Sequence, residues 1–409
     1  MKIDLVNNQY QLGGAETVML QLHRGLIESG HESRVHVAEG KTYPNDRTIV
    51  PLYPRLLSRL SHTRFHGVIE ALAPRAAWTE RAFNKLGAIP EGVVHIHNFH
   101  GLYAGIQSLA SVAARRPVVW TFHRFWGITG GCDHPGDCTR YRDACGDCPR
   151  VEEWPICGRD NTAEQLRLKL EHLSPARLHI VSPSRHLARK VSESLVGRDW
   201  PITVIPNGVD PAQFGFKRKR DPEFRRRLGL DPGAKVVLIV NRNFQDPIKG
   251  YPLLQSALPL LNPSGVQFAF AGGNSDWAIR QLPPSFQCVD LGYVASRSHL
   301  AELYEAADIF LFSSPGENFP CVTLEAMSAK CCVVSTPTDG VIEQIEQGRS
   351  GLISPSFQAE DLAATLDFAI AHPLKVQEYA DAARLRVERE FSEENMLARH
   401  LDLYRSLLP

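Results

Sequence analysis

Long apolar runs are missing from this sequence. No stretch approaches the eighteen or so consecutive apolar residues of a membrane-spanning helix, and the opening Met-Lys-Ile-Asp-Leu-Val-Asn-Asn carries no apolar core of a signal peptide. Both absences point to a cytoplasmic protein. Net charge is missing too. With 45 Lys and Arg against 45 Asp and Glu the formal charge is +0, so the chain as a whole offers no attraction to nucleic acid, and an anionic partner must be met by a local patch. Cysteine is sparse except in one place: of nine, four are packed between Cys132 and Cys148, and in an intracellular protein such a cluster favours metal over disulfides. Cys288, Cys321, Cys331 and Cys332 stand in apolar surroundings and read as small buried hydrophobes. At 409 residues the chain is too long for a single core and suits two domains of about 200 residues each.

What is present is an alternation of β-branched runs with amphipathic segments, most legible from Asp308 to Thr336. Asp-Ile-Phe-Leu-Phe-Ser-Ser reads as a buried strand, Pro-Gly-Glu-Asn-Phe-Pro as a turn, and Cys-Val-Thr-Leu-Glu-Ala-Met-Ser-Ala-Lys as a helix with Pro320 in its first turn. Cys-Cys-Val-Val-Ser-Thr then makes a second strand, and the whole is a βαβ unit of a parallel sheet. Glu317 falls in the loop and Glu325 in the helix, eight residues on. Open parallel sheets bind ligands outside the carboxyl ends of their strands, where a helix N-terminus attracts phosphate. Two carboxylates there can hold the hydroxyls on either side of a diphosphate; each alone is as readily a solvated or ion-paired side chain.

Other strand ends carry chemistry of their own. Gly13 and Gly14 separate a first strand, 2–6, from an amphipathic helix bearing Val18, Leu22 and Leu26, and let backbone approach a ligand closely. His95, His97, Asn98 and His100 close one buried strand, and His123 closes Pro117–His123; a substrate-facing histidine and a hydrogen-bonded core histidine are the two readings of the latter. After the strand Ala234–Asn241 stand Arg242 and Lys249-Gly250, cations able to neutralise a diphosphate, one by a bidentate fork and one as a point charge. Cys132-x5-Cys138-x6-Cys145-x2-Cys148, set among Gly, Asp, Pro and Arg, has the make-up of a structural Zn²⁺ loop or of an iron–sulfur site, with His134 and Cys157 as spare ligands. Two basic stretches remain. Arg55, Arg59, Arg64, Arg75, Arg81 and Lys85 lie in 54–86, and Lys217, Arg218, Lys219, Arg220, Arg225, Arg226 and Arg227 in a linker. Such runs are usually solvated helix faces; peripheral membrane or lipid-phosphate contact is the sharper alternative.

The Glu-x7-Glu pair in its Ser-Ser-Pro-x-Glu-Asn-Phe-Pro-x-x-x-x-Glu-Ala-Met setting resembles the nucleotide-sugar loop of retaining GT-B glycosyltransferases of the GT4 type. The cysteine loop after His123, in the order His-x-x-Trp-x-x-Thr-Gly-x-Cys, is similar to that of the colanic-acid and exopolysaccharide members. The resemblance spans nearly the whole chain and implies an α/β fold of two Rossmann-like domains across a cleft. It divides the chain into an acceptor-side domain, 1–210, with a cysteine-rich loop at 126–157; a nucleotide-sugar domain, 211–390; and a helix, 391–409, packing back on the first. By the same resemblance Glu317 contacts the transferred sugar and Glu325 the ribose. Asn318 and Phe319 belong to the donor loop, Gly13, Gly14, Arg242 and Lys249 meet the diphosphate, and His123 lies near the transferred sugar and acceptor. Tyr293 and Val294 border the base. Pro320 departs from the glycine common at its position and offers no backbone N–H.

The implied function is transfer of a hexosyl group, with retained configuration, from a nucleotide-diphosphate sugar to a glycan or lipid-linked saccharide in exopolysaccharide or cell-envelope synthesis. No catalytic metal is expected, and the loop's zinc or iron–sulfur group would be structural. The protein would be cytoplasmic, with the inner membrane face as a second possible location. A nucleotide-sugar epimerase or hydrolase on the same fold, and a metal-stapled binding module without transfer activity, are the rival functions.

Overall fold

The structure is a computed structural model that describes residues 1–10, 13–39, 46–54, 56–58, 74–89, 91–100, 104–219 and 221–408. The chain divides into two compact units, Met1–Pro206 with Met396–Pro409, and Asn207–Asn395.

Among the described residues the first unit holds a seven-stranded parallel sheet. Its strands are β1 (Lys2–Gln9), β2 (Glu32–Glu39), β3 (Ile49–Pro51), β4 (Val93–Ile96), β5 (Val118–Thr121), β6 (Leu178–Ser182) and β7 (Ile202–Val204). They lie in the order β3-β2-β1-β4-β5-β6-β7. Every residue of β4 and β5 is buried, as near-continuous apolar strands covered on both faces must be. One charge is built into this interior. Asp4 of β1 accepts from His36 Nε2 and Arg116 Nη1, both at 2.9 Å; burial acts to raise its pKa, but these two partners outweigh it and hold the carboxyl below its usual range. The last helix, Glu393–Leu407, belongs to this unit from Met396 on and buries Met396, His400, Leu401, Leu403 and Tyr404.

The second unit is built on a six-stranded parallel sheet: β8 (Lys235–Asn243), β9 (Val266–Gly273), β10 (Gln287–Gly292), β11 (Ile309–Phe312), β12 (Cys332–Ser335) and β13 (Leu352–Ile353). Its order is β10-β9-β8-β11-β12-β13. Side chains alternate between two cores. Val236, Leu238, Phe310 and Phe312 join one layer, and Val237, Ile239, Ile309 and Leu311 the other, which is the two-residue period of strands apolar on both faces. Cys331 and Cys332 are buried in these layers, while Cys288 and Cys321 are half-buried.

Three local expectations change. Pro320 caps the helix Cys321–Ser328 with extended backbone, φ −66° and ψ 135°, and does not enter its first turn. The linker's basic run is divided: Lys217, Arg226 and Arg227 stand exposed, while Arg218, Lys219 and Arg225 find partners within the unit. Arg218 Nη2 pairs with Glu305 at 2.7 Å, and Lys219 donates to the Ala307 carbonyl. Arg225, 7% exposed, pairs with Asp308 at 2.9 Å; these cations staple the unit together, while Arg220 lies outside the described residues. In the earlier basic stretch the helix Arg75–Leu86 carries Arg75 buried, its guanidinium over the Tyr53 ring, and Arg81 and Lys85 exposed. Arg55, Arg59 and Arg64 lie outside the described residues. Among those residues no helix is long and apolar enough to cross a membrane.

Candidate active site

In the second unit the loop after β11 is stitched to the loop after β8. Ser313 Oγ donates to the Gly250 carbonyl at 3.1 Å, Ser314 Oγ to that of Ile248 at 3.0 Å, and Asn241 Nδ2 to that of Lys249 at 3.2 Å. Gly250 is in the left-handed region, φ +77°, and a Cβ there would lie 2.0 Å from the Ser313 carbonyl oxygen, so this crossing admits only glycine. The stitching delivers Lys249 Nζ to Glu317 Oε1 at 2.6 Å, with both side chains about a quarter exposed, 30% and 24%. A second close approach holds the Glu317 backbone: Gly340 N donates to the Glu317 carbonyl at 3.1 Å, and a Cβ on Gly340 would sit 2.0 Å from the Asn318 carbonyl oxygen.

Glu325 follows on the helix, 2% exposed, with Oε1 at 3.1 Å from Arg297 Nη2. Burial raises its pKa, and the Arg297 guanidinium pulls it back toward ionisation. The thiol of Cys321, pushed up to about 12 mainly by burial, feels both Glu325 and Glu317, so the two carboxylates share one neighbourhood. Arg242 stands exposed at the end of β8, next to the Asn241 that holds Lys249. Asn318 and Phe319 are buried; the Phe319 ring packs edge-on against Phe391, 5.6 Å between centroids, and its carbonyl accepts from Asn207 Nδ2 at 2.7 Å. Phe319 is thus a core side chain. Tyr293 is 63% exposed.

In the first unit Gly13, in extended backbone, caps the helix Gly14–Glu28. Beside it Glu16 Oε1 accepts from Asn7 Nδ2 at 3.0 Å and Asn98 Nδ2 at 3.3 Å, and Asn98 N donates to Asn7 Oδ1 at 2.9 Å. The histidines form a buried ladder. His95 bonds Tyr404 Oη at 2.6 Å and Thr121 Oγ1 at 2.7 Å, and His97 Nδ1 meets His123 Nε2 at 3.0 Å. His95 and His97 are 0% and 1% exposed, and the His97 Nε2 has no hydrogen-bond partner among the described residues. Burial lowers all of these pKa values, that of His123 to about 3, with Arg124 acting in the same direction. His123 is therefore a neutral imidazole, half-buried at its strand end.

Cys132, Cys138, Cys145 and Cys148 line one shallow depression, with a cavity volume of only about 20 Å³, together with Thr129, Gly130 and Thr162. All four are free thiols. Cys132 is pushed up to about 11, chiefly by burial and further by the other three. The donor set suits a thiophilic metal in kind but not in placement: among the described residues no three His, Cys, Asp or Glu side chains converge as metal ligands. His134 packs on Phe125, and Cys157 is exposed. The expected zinc or iron–sulfur group is thus not supported by the geometry. What holds the loop is Lys169, fully buried, donating to the carbonyls of Trp126 at 2.5 Å and Thr129 at 2.8 Å.

Several of these residues escaped the sequence argument. Nothing in the spacing links Arg297 to Glu325 or Lys169 to the cysteine loop. Asn7 and Asn98, each polar at the end of an apolar strand, did carry a usable signal.

Comparison with known proteins agrees with this arrangement. Residues 12–213 match the model of Glycosyltransferase Family 4, and residues 234–372 that of Glycosyl transferases group 1. The putative colanic acid biosynthesis glycosyl transferase WcaC of Escherichia coli K12 is 23% identical over all of both chains. A D-inositol 3-phosphate glycosyltransferase of Mycolicibacterium gilvum is 26% identical over 87% of this chain and 76% of its own. Among solved structures, HepE of Anabaena in complex with UDP superposes over 100% of both chains with a TM-score of 0.73 at 19% identity. WaaG, involved in lipopolysaccharide biosynthesis, covers 98% of this chain and 99% of its own, with a TM-score of 0.68 at 17% identity. Two parallel-sheet units, a shared carboxylate pair after β11 and both family matches lead to one assignment: the chain is a glycosyltransferase of the GT4, group 1 family with the GT-B fold.

Proposed function

We propose that the protein transfers a hexosyl group from a nucleotide-diphosphate sugar to an acceptor hydroxyl with retention of anomeric configuration, in exopolysaccharide or cell-envelope glycan synthesis. The observation that carries this is the loop after β11, where Glu317 meets Lys249 at 2.6 Å and shares the surroundings of Cys321 with Glu325. Such a loop offers carboxylates for sugar and ribose hydroxyls beside a cation for phosphate. The complexes of HepE with UDP and UDP-glucose support a donor of this class, and the WcaC likeness supports the glycan setting.

The hard step is departure of a diphosphate from an oxocarbenium-like centre. Lys249 and Arg242 would neutralise the leaving group, Gly13 and Gly14 would approach it by backbone, and Glu317 would orient the sugar. Glu325, paired with Arg297, would hold the ribose; the Asn318 and Phe319 backbone would shape the loop. Neutral His123 can donate or accept a hydrogen bond at the transferred sugar without adding charge. The acceptor is a glycan or lipid-linked saccharide, and peripheral membrane contact would bring the enzyme to the latter. A zinc ion or iron–sulfur cluster in the cysteine loop has the donor chemistry but not the placement of the thiols behind it, and no step of transfer uses it. Metal analysis of protein purified without chelator tests that reading: one metal equivalent, lost in Cys145→Ser, would restore it, and metal-free folded protein removes it.

The test of the function is release of nucleotide from a panel of nucleotide sugars, with and without lipid-linked acceptors. Arg242→Ala and Lys249→Ala should each lower turnover by roughly two orders of magnitude or more while folding persists. Near-wild-type rates in both would remove the donor assignment.

A further inference from the structure

The loop that follows His123 carries a feature the donor chemistry does not use. Trp126, in the short 3-10 turn Trp126–Ile128, is pinned from one side: the Lys169 Nζ lies 3.6 Å from its ring centroid and donates to two loop carbonyls. His100 packs on Trp126 at 5.2 Å and on Trp154 at 5.2 Å, the second contact edge-on at 70°. Trp154 is 62% exposed. The Arg124 guanidinium, one residue from His123, lies 5.9 Å from the Trp154 ring and pairs with Asp133 at 2.6 Å. The three rings thus run from a pinned, half-buried indole to a solvent-facing one, with a guanidinium and an imidazole at the rim.

A single exposed indole on a protein surface is ordinary. A chain of three rings fixed by a buried ammonium is a rigid surface, and its composition selects an occupant. An indole face accepts flat apolar C–H surface, while Arg124 donates and a neutral His100, its pKa lowered by burial, donates or accepts at the edge. A pyranose ring has that pattern: axial C–H groups on one face and hydroxyls around its rim. A bilayer does not fit as well, because Glu152 stands exposed beside Trp154 and the Glu153 carboxylate next to it is already paired with Arg150 at 2.7 Å, which leaves that side without a free cation from this pair for anionic headgroups.

We propose that Trp154, His100, Trp126 and Arg124 form an acceptor subsite that stacks a neutral hexopyranosyl ring of the acceptor glycan beside His123. This rests on the glycosyl-transfer function proposed above and adds the acceptor's chemical class and the residues that select it. Lys169 is a positioning residue, holding Trp126 through its carbonyl and ring.

The test is NMR of the full chain with ¹⁵N-labelled tryptophan, titrated with methyl α- and β-hexopyranosides of glucose, galactose and mannose and with lactose. The Trp154 indole N–H signal, assigned by its loss in Trp154→Ala, should shift saturably with at least one saccharide, and Trp126 should shift with it. In Trp154→Ala the Trp126 response should weaken by about tenfold in affinity, the scale of one aromatic stack, and Trp154→Phe should restore most of it. Should the alanine variant not fold, the comparison of wild type with Trp154→Phe and Arg124→Gln retains the readout, with Arg124→Gln weakening binding. Absence of any saccharide shift, while a nucleotide sugar raises the melting temperature, overturns the subsite and leaves the donor function standing. A saturable shift without any nucleotide-sugar stabilisation supports the subsite and removes the donor function. Shifts produced by anionic phosphatidylglycerol vesicles and by no saccharide overturn the subsite in favour of a membrane contact.

Discussion

Acid should destabilise the first unit through its histidines well before its carboxylates titrate. His400 is 2% exposed; its Nδ1 bonds the Met396 carbonyl at 2.8 Å, which makes Nδ1 the protonated nitrogen, and its buried Nε2 has no partner among the described residues. Burial lowers its pKa from 6.5 to about 4. The unfolded chain therefore takes up this proton first, so folding is unaffected above the unfolded pKa and loses stability as pH falls from about 6.5 toward 4, with no further loss below. At pH 5 the unfolded histidine is protonated and the folded one is not, which costs about 2 kcal/mol from this residue alone. His95, His97 and His123 are lowered by burial as well and act in the same direction, so the loss is a large share of a typical domain stability of 5–15 kcal/mol. Asp4, with its pKa held down, works in a separate window: its stabilisation is present above about 3.8 and fades only below that value. Tryptophan fluorescence in urea titrations is the assay, because Trp78, Trp120, Trp126, Trp154 and Trp200 belong to the first unit and Trp277 to the second. The decisive variant is His400→Phe, which keeps a ring but cannot take up a proton. Its stability at neutral pH should fall by about 1 kcal/mol with the lost hydrogen bond, while its loss between pH 7 and pH 5 should be about 2 kcal/mol smaller than that of the wild type. Parallel pH curves for the two proteins, or a flat wild-type curve across that range, would refute the reasoning.

Other perturbations test the second unit. Arg297→Met leaves the buried Glu325 carboxylate without its cation and should cost about 2 kcal/mol or more in urea unfolding, most of it recovered when Glu325→Gln is added. Glu317→Gln releases Lys249 from its pair. Because a partly exposed pair is worth about 0.5–1 kcal/mol, calorimetry should find UDP bound about two- to fivefold more tightly, while transfer slows; weaker UDP binding would mean that Lys249 does not meet phosphate.

Both sheets were legible in the sequence because parallel strands buried on two faces are written as unbroken apolar runs. Ile309–Phe312 and Cys332–Ser335 are bounded by turn residues on the chain itself, and the helices after 359 show their period directly. Glu317 and Glu325 were legible because a strand, a loop and a helix adjacent in sequence fix their positions. Lys249 reaches Glu317 from 68 residues away, and it was found only through the resemblance that names both.

What the sequence concealed is how polar groups pair across long separations. Lys217, Arg226 and Arg227 are exposed as a solvated face would have them, but Arg218 sits on Glu305 and Arg225 on Asp308; charge periodicity says that a helix is basic, not which carboxylates await it. His95 and His97 show the same limit. Their alternation marks a strand, but Tyr404, which bonds His95, lies 309 residues on, and only the fold brings the last helix to that strand. The cysteine loop is the sharpest case. Its spacing alone suggests a metal, yet the group that organises it is Lys169, a lysine on the helix Thr162–His172 with no motif around it. A buried lysine amine donating to two loop carbonyls fixes their positions, and it does so with a residue whose role depends wholly on where the chain returns.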